Sequence, residues 1–174
     1  MCGLVGIAVD AMNGANSYDA GVFDDLLYMD ALRGKDSTGV VLLDKHGGVE
    51  VIKEAIHAFQ FQETKEYKSI RSDFISKGKV LFGHNRKKTM GKIEDESAHP
   101  FVIDNNVVFM HNGTLRNHEK LYKTAVDSEA LGMHLAKCNG DPRKIEEALA
   151  DVDGAYACVW LDQSKEIIYL IRNK

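Results

Sequence analysis

The sequence predicts a layered α/β fold whose sheets are mainly antiparallel. Apolar runs of strand length come in adjacent pairs joined by short polar loops, and the segments with helical periodicity are grouped between those pairs. The chain also lacks G-x-G-x-x-G and G-x-x-x-x-G-K-[ST], the two commonest nucleotide-binding signatures. These observations favour antiparallel sheets over the alternating strands and helices of a Rossmann fold.

The first quarter of the chain predicts a strand, a helix and a hairpin. Residues 2–9 are apolar, contain β-branched residues and are too few for a helix, which indicates a fully buried strand. Residues 19–32 carry apolar side chains at helical spacing, and Gly34 ends that helix. The apolar runs 40–43 and 49–52 flank a loop with two glycines, so they form a hairpin.

The middle of the chain predicts a helix, a strand and a second hairpin. Residues 62–76 are mostly polar with spaced apolar residues, which indicates an exposed helix, and residues 80–83 read as a strand. The apolar runs 101–103 and 107–110 flank Asp104-Asn105-Asn106, a sequence typical of a hairpin loop.

The last third predicts two helices and a third hairpin. Asp127 and Ser128 can cap a helix, because their side-chain oxygens accept hydrogen bonds from the first free backbone N–H groups. A further helix spans residues 142–149, and residues 155–161 and 167–171 form the final hairpin.

Composition bounds the class of protein and its surroundings. A chain of 174 residues with 28% charged residues and a net charge of −4 predicts one soluble domain over residues 1–174, without nucleic acid as a partner. No apolar run reaches the ~20 residues of a membrane-spanning helix, so we expect no membrane partner. The odd cysteine count, Cys2, Cys138 and Cys158, lacks C-x-x-C spacing and favours the reducing cytoplasm.

Metal and cofactor sites are not predicted. His84, His99 and His111 match no common zinc spacing, and histidines at strand ends are more often only hydrogen-bonded. Cys138 and Cys158 lie on apolar faces and are expected in the core.

Cys2 is a candidate nucleophile. A small second residue permits removal of the initiator methionine, so the mature chain begins with a thiol and an α-amine on one residue. The α-amine, with a pKa of ~7.7–8.0, can accept the thiol proton near neutral pH. Taken alone, however, the position favours a small buried residue at the start of a strand.

Four other polar residues have ordinary interpretations when the pattern is read alone. Asn112-Gly113 is typical of a type I′ hairpin turn. Arg86 fits a solvated surface cation, Asp127 fits a helix cap, and Arg33 fits a cation at a helix C-terminus.

Considered together and in chain order, the polar segments resemble the class II glutamine amidotransferases, members of the N-terminal nucleophile hydrolases. The resemblance covers essentially the whole chain. It is carried by Cys2, Arg33-Gly34-Lys35-Asp36-Ser37-Thr38-Gly39, Gly83-His84-Asn85-Arg86, Ala98-His99-Pro100-Phe101, His111-Asn112-Gly113-Thr114-Leu115-Arg116-Asn117, Thr124 to Glu129 and Asp153-Gly154-Ala155-Tyr156-Ala157.

The resemblance implies a four-layer αββα sandwich and a glutaminase that needs no cofactor or metal. The Cys2 thiolate attacks the side-chain amide of L-glutamine and forms a thioester, which water then hydrolyses to glutamate. The Asn112 amide and the Gly113 backbone N–H are expected to bind the oxyanion. Arg33 is expected to orient the nucleophile.

The same resemblance assigns the recognition of the amino-acid head group. Arg86 corresponds to the residue that binds the substrate α-carboxylate, and Thr89 adds a hydroxyl. Asp127 corresponds to the partner of the substrate α-ammonium. Together they are expected to place the amide over Cys2.

Two departures from the family pattern leave alternatives open. Lys87 stands where many members have an aromatic residue, and Met90 where some have histidine. Family members also usually continue beyond the position of Lys174, so the sequence is expected to be a minimal form, a C-terminally truncated fragment, or one component that supplies ammonia in trans to a separate synthetase. The alternatives are a catalytically degenerate binding or regulatory module, and an N-terminal cysteine hydrolase acting on another amide.

Overall fold

The computed structural model describes residues 2–10, 13–104 and 106–173. Within these ranges the strands are β1 (Gly3–Ala8), β2 (Ser37–Asp44), β3 (Val49–Glu54), β4 (Gly78–Arg86), β5 (Phe101–Ile103), β6 (Val107–Leu115), β7 (Gly154–Asp162) and β8 (Ile167–Arg172). The helices are α1 (Ser17–Asp30), α2 (Ala58–Glu63), α3 (Lys65–Lys77), α4 (His118–Leu121), α5 (Asp127–Ala136) and α6 (Pro142–Ala150), and a 3₁₀ turn spans Asp95–Ser97.

The chain divides into two compact units. The first unit comprises Met1–Lys88 and Ile93–Pro100, and the second comprises Thr89–Lys92 and Phe101–Lys174. Each contains one four-stranded antiparallel sheet, in the order β1-β4-β2-β3 in the first and β5-β6-β7-β8 in the second. The predicted α/β class with mainly antiparallel sheets is therefore confirmed.

The register of the first sheet brings the start of β1, the start of β2 and the end of β4 together at one end of the sheet. Gly3 pairs with Asn85, and Ser37 pairs with Arg86. Because β4 runs antiparallel to both β1 and β2, its last residues lie beside the first residues of the other two strands. The residues that precede β1 and follow β4 consequently meet at this end of the sheet.

The core of the first unit lies between its helices and one face of its sheet. Phe23 and Leu27 of α1 pack with Tyr67, Ile70 and Phe74 of α3, and all five side chains are buried. Burial of each such side chain stabilises the fold by roughly 1.5–3 kcal/mol. The helix predicted over residues 62–76 as exposed therefore buries one face, while its other residues are exposed or half-buried.

That predicted helix is also divided in two at Thr64. Thr64 ends α2 and begins α3, where its hydroxyl oxygen accepts a hydrogen bond from the Tyr67 N–H at 3.2 Å. Thr64 adopts an extended conformation, which breaks helical continuity. The cap provides a partner for one of the N–H groups that a helix N-terminus leaves unsatisfied.

The second sheet corrects the turn interpretation of Asn112-Gly113. Both residues lie inside β6, where Asn112 pairs with Ala157 and Gly113 pairs with Tyr156 of β7. β6 extends five residues beyond the end of the predicted strand at Met110. The turn prediction was wrong because long-range pairing with β7 overrode the local preference of the dipeptide.

The core of the second unit packs α5 against the sheet. Leu131 and Leu135 of α5 pack with Trp160 of β7, and Cys138 and Cys158 are buried in the same cluster, as predicted. The three cysteines of the chain are free thiols.

The hairpins and the strand that the sequence predicts are present in the structure. All three predicted hairpins are present as the pairs β2–β3, β5–β6 and β7–β8, and the strand predicted over residues 80–83 extends over Gly78–Arg86. Asn105 of the second hairpin loop and the initiator Met1 lie outside the described residues. No helix in the described ranges has the length and apolar character that crossing a membrane requires.

Candidate functional site

The candidate site residues fall into two groups, one in each unit. The first unit holds Cys2, Arg33 and Arg86, and the second holds Asn112, Gly113, Asp127 and Thr89.

The sulfur of Cys2 contacts the backbone of Lys87. Cys2 is 8% exposed and directly precedes β1. The Lys87 N–H donates to Cys2 Sγ at 3.3 Å, and the Lys87 carbonyl oxygen lies 3.5 Å from the same sulfur. A thiol can donate to the carbonyl, whereas a thiolate is stabilised by the N–H. The backbone of Lys87 therefore offers a hydrogen-bond partner to the sulfur of Cys2 both as a thiol and as a thiolate.

Arg33 holds the backbone of the same cysteine. It lies three residues after the end of α1, and its Nε donates to the Cys2 carbonyl oxygen at 2.9 Å. The side chain is exposed, so this hydrogen bond fixes position more than it contributes stability. The structure thus brings Arg33 to Cys2, the pairing that the family resemblance implies.

Asp36 fixes the peptide that meets the sulfur. Its N–H donates to the Arg86 carbonyl oxygen at 2.9 Å, and its carboxylate Oδ2 accepts from the Lys88 N–H at 2.7 Å. The residues on both sides of Lys87 are therefore tied to one residue. Asp36 belonged to the polar segment noted in the sequence but received no role there.

Gly34 is required by the close approach of two backbones. A Cβ at this position would lie 2.4 Å from the Arg86 carbonyl carbon and 2.6 Å from the Lys87 nitrogen. Only a residue without a side chain allows the loop after α1 to pack against this peptide.

Arg86 and Ser37 are neighbours at the end of the first sheet. Arg86 is 3% exposed, which excludes the solvated surface cation that its sequence context alone favoured. Ser37 pairs directly with Arg86, so the two side chains lie on the same face of the sheet. Ser37 Oγ is buried and has no hydrogen-bond partner among the described residues. It is a polar group beside Arg86 that sequence reasoning missed.

In the second unit, the packing of β6 against β7 explains the glycine of Asn112-Gly113. A Cβ on Gly113 would lie 1.9 Å from the Ala155 carbonyl oxygen and 2.5 Å from His111 Nε2. The sequence signal for this strand position was the dipeptide itself, which local reasoning assigned to a turn.

His111 anchors the strand residue directly before Asn112. Its Nδ1 lies 2.9 Å from Ser128 Oγ and its Nε2 lies 3.3 Å from the Ala155 carbonyl oxygen. Because a carbonyl only accepts, the neutral ring carries its proton on Nε2 and accepts from the Ser128 hydroxyl at Nδ1. Burial lowers the pKa of His111 below its ordinary value, although the nearby Asp127 carboxylate acts in the opposite direction.

Asp127 is a buried carboxylate at the start of α5. Oδ2 accepts from the Leu115 N–H at 2.9 Å and Oδ1 accepts from the Ser128 N–H at 3.0 Å. Val126 is the N-cap residue and no side-chain hydrogen bond caps the start of α5, so the predicted cap by Asp127 and Ser128 was wrong. In the part of the chain that the structure describes, no cationic side chain forms an ion pair with Asp127.

The other sequence candidates lie apart from these contacts. Thr89 is exposed. His84 and His99 are buried and stack on each other with ring centroids 3.9 Å apart. Among the described residues, no group of three or more potential metal-binding side chains was found.

Comparison with known proteins places the chain among longer enzymes. No protein-family model matches it. The glutamine–fructose-6-phosphate aminotransferase (isomerizing) of Idiomarina loihiensis is 26% identical over 176 aligned positions, which cover 93% of this chain and 27% of the relative. The enzyme of the same name from Aeropyrum pernix is 32% identical over 136 positions, which cover 78% of this chain and 20% of the relative.

A third relative carries a different name. The 7-cyano-7-deazaguanine synthase 2 of Sulfurisphaera tokodaii is 29% identical over 154 positions, which cover 81% of this chain and 32% of the relative. The chain therefore spans about a fifth to a third of the length of the three curated relatives compared.

Two solved structures share the fold. Glutamine phosphoribosylpyrophosphate amidotransferase from B. subtilis, complexed with ADP and GMP, superposes with a TM-score of 0.66 and 21% identity. A structure described as the allosteric regulatory enzyme of purine biosynthesis superposes with a TM-score of 0.67 and is 24% identical in sequence. Each match covers 92% of this chain and 35% of the other, and the fold is of the N-terminal nucleophile hydrolase type, as the resemblance implied. In sequence and in fold, the chain is similar to the class II glutamine amidotransferase domains of these longer proteins.

Proposed function

We propose that the chain is a glutaminase that hydrolyses L-glutamine to glutamate and ammonia through a thioester on Cys2. The contact between Cys2 Sγ and the Lys87 N–H carries this proposal, because a backbone N–H that donates to the sulfur favours the thiolate over the thiol. Two of the compared relatives are named glutamine–fructose-6-phosphate aminotransferase, which supports L-glutamine as the substrate.

The proposed reaction begins with the α-amine of a mature chain whose first residue is Cys2. The amine takes the thiol proton, and the thiolate attacks the side-chain amide carbon of glutamine. Asn112 and the Gly113 N–H stabilise the oxyanion of the tetrahedral intermediate, each such donor being worth roughly 3–4 kcal/mol. The ammonium returns its proton to the leaving nitrogen, and the carbon–nitrogen bond breaks to give ammonia and a thioester.

Water completes the cycle. The α-amine accepts a proton from water as the oxygen attacks the thioester carbon. A second tetrahedral intermediate collapses, glutamate leaves, and the sulfur recovers the proton. Arg33 takes part only by holding the Cys2 carbonyl, so we assign it an orienting role.

Recognition of the head group is assigned to two buried charges. Arg86 offers a planar guanidinium for the α-carboxylate, and Thr89 adds a hydroxyl. Asp127, buried without an ion-pair partner in the described ranges, offers its carboxylate to the α-ammonium. Leu115 and Ser128 hold that carboxylate through their N–H groups.

We further propose that the ammonia serves a separate synthetase in the cytoplasm. The aligned region makes up about a fifth to a third of each compared relative. The three free thiols fit a reducing compartment.

The test measures ammonia release from L-glutamine by the purified protein and by Cys2→Ala. Cys138→Ala is the matched control, because Cys138 is a buried thiol packed in the core of the second unit. We expect turnover in the wild type and the control and none in Cys2→Ala. Full activity in Cys2→Ala would refute the mechanism.

Intact mass separates failure of processing from failure of chemistry. Loss of Met1 and a single adduct from a glutamine-mimicking electrophile, absent in Cys2→Ala, are expected. Calorimetric binding of glutamine without ammonia release by the processed chain would instead identify a degenerate binding module. Release of ammonia from another amide alone would identify a different amide hydrolase.

A further inference from the structure

The peptide that joins Cys2 to Gly3 is held by the last turn of α1 and the residues just after it. Arg33 donates to the Cys2 carbonyl oxygen at 2.9 Å. A Cβ on Gly3 would lie 1.9, 2.0 and 2.1 Å from the three carboxylate atoms of Asp30. The Asp30 carboxylate therefore packs directly on the Gly3 Cα, one residue after the candidate nucleophile.

A buried amide fixes the Asp30 carboxylate in this position. Asn85 is fully buried, and its Nδ2 donates to Asp30 Oδ2 at 3.1 Å and to the Leu27 carbonyl oxygen at 2.9 Å. Its Oδ1 lies 3.1 Å from the Thr38 hydroxyl, which can donate to it. Because both of these partners of Nδ2 are acceptors, the orientation of the Asn85 amide is determined. Asp30 is thus held on one side by Asn85 and in contact with Gly3 on the other.

Charge gives the arrangement a second consequence. Asp30 and Arg33 are oppositely charged, and Arg33 favours the ionised form of Asp30, while partial burial has the larger effect and raises the pKa of that carboxyl. A carboxylate beside the Cys2–Gly3 peptide opposes formation of the thiolate, whereas the guanidinium favours it.

We propose that Asp30 is a positioning residue for the nucleophile: its carboxylate, held by Asn85 and packed on Gly3, fixes the start of β1 and, with Arg33, sets the charge beside the Cys2 thiol. The proposal deepens the proposed function, since it assumes that Cys2 is the nucleophile. It predicts that position 3 and position 30 depend on each other, and that the thiolate responds to the charge at position 30.

The first test is a double-mutant cycle between positions 3 and 30. Gly3→Ala pushes its methyl into the Asp30 carboxylate, so we expect the kcat for glutamine to fall by about tenfold or more, with a smaller change in KM. In the Asp30→Ala background the methyl finds the vacated space, and Gly3→Ala costs less than about twofold. Equal losses in both backgrounds would overturn the proposal.

The second test separates charge from shape. Asp30→Asn keeps an oxygen for Asn85 and removes the negative charge. Alkylation of Cys2 by iodoacetamide is followed against pH by mass spectrometry of the N-terminal peptide. The midpoint is expected to fall by about half a pH unit, because loss of a nearby negative charge favours the thiolate. Asp25→Asn, at an exposed position of the same helix, is the matched control and keeps the wild-type midpoint.

The outcomes distinguish this inference from the proposed function. Alkylation requires no turnover, so a wild type that releases no ammonia refutes the glutaminase, while the shifted midpoint in Asp30→Asn still supports the positioning role. An unchanged midpoint in Asp30→Asn, with normal folding by circular dichroism, refutes the positioning role while the glutaminase stands.

Discussion

Arg86 shows how one residue's burial changes the meaning of its charge. A guanidinium is ionised at every physiological pH and is rarely buried unless it is paired with an acceptor. Arg86 is 3% exposed and lies at the same end of the first sheet as Cys2. Its planar guanidinium has the chemistry to bind the α-carboxylate of the proposed substrate.

Replacement of Arg86 by lysine tests that anchor while retaining the charge. Lysine lacks the planar pair of N–H donors, so Arg86→Lys is expected to raise the KM for glutamine by about tenfold to a hundredfold, with a smaller change in kcat. Steady-state ammonia release measures both constants. Lys88→Ala, at an exposed neighbouring position, serves as the control, and an unchanged KM in Arg86→Lys would remove Arg86 from the substrate site.

His111 makes stability depend on pH. Its folded pKa is lower than the unfolded value of about 6.5, so above that pH both states are neutral and its contribution is fully present. As pH falls below about 6.5 the unfolded chain takes the proton first, and stability is lost until the folded pKa is reached.

Urea unfolding of wild type and His111→Gln between pH 7.5 and 5 measures this effect. The wild type is expected to lose more unfolding free energy than the variant over this range, by at most about 1.4 kcal/mol for each pH unit. Since other histidines contribute equally to both proteins, the difference between them reports on His111. Parallel pH profiles would show that His111 is not held neutral.

At this scale the sequence predicted the roles of single residues only through family resemblance. Local pattern alone assigned Asn112-Gly113 to a turn and Arg86 to solvent. Both errors have one physical cause: strand pairing and burial depend on residues far away in the chain, which a local pattern does not contain. The Asp36 and Ser37 contacts were invisible for the same reason.

Among the elements, the loop after α1 packs its backbone against the residues that end β4 and follow it. Gly34 lies against the peptide of Arg86 and Lys87, and Asp36 ties the flanking residues. The loop is thus the support for the amide that faces Cys2 Sγ.

Gly34→Ala is expected to displace that support. Its Cβ would meet backbone atoms at 2.4 to 2.7 Å, so the loop must shift, at a cost of about 1–3 kcal/mol in unfolding free energy and with a marked loss of ammonia release. Thermal unfolding and steady-state kinetics measure the two effects.

Gly21→Ala is the matched control. Gly21 lies within α1, and a Cβ there has no atom within 4 Å. Alanine is expected to stabilise the helix by about 0.5–1 kcal/mol and to leave turnover unchanged. A loss of stability in Gly21→Ala equal to that in Gly34→Ala would contradict the packing argument.

The elements themselves were largely predictable because their periodicity is local. Helices α1, α5 and α6 and the three hairpins lie where apolar spacing placed them. The sequence pattern missed the break at Thr64 and the burial of α3, since 62–76 reads as polar when its partners on α1 are not considered. It also missed α4, which spans only four residues.

For the whole molecule, binding of glutamine and its turnover are separable. Cys2→Ala retains Arg86 and Asp127, so glutamine is expected to stabilise this variant by about 2.7 kcal/mol at one hundred times its Kd. The midpoint of thermal unfolding should therefore rise by several degrees. Butyramide, which has the amide but neither the α-ammonium nor the α-carboxylate, is the control ligand, and equal shifts with both would contradict recognition of the head group.

The backbone contact at Lys87 changes the significance of its side chain. The group that meets Cys2 Sγ is the N–H of the peptide, which every residue except proline possesses, and the lysine side chain is exposed. Lys87→Ala is therefore expected to retain turnover, while Lys87→Pro abolishes it, as ammonia release will show. The residue at position 87 can therefore change its side chain without removing the N–H that contacts the sulfur.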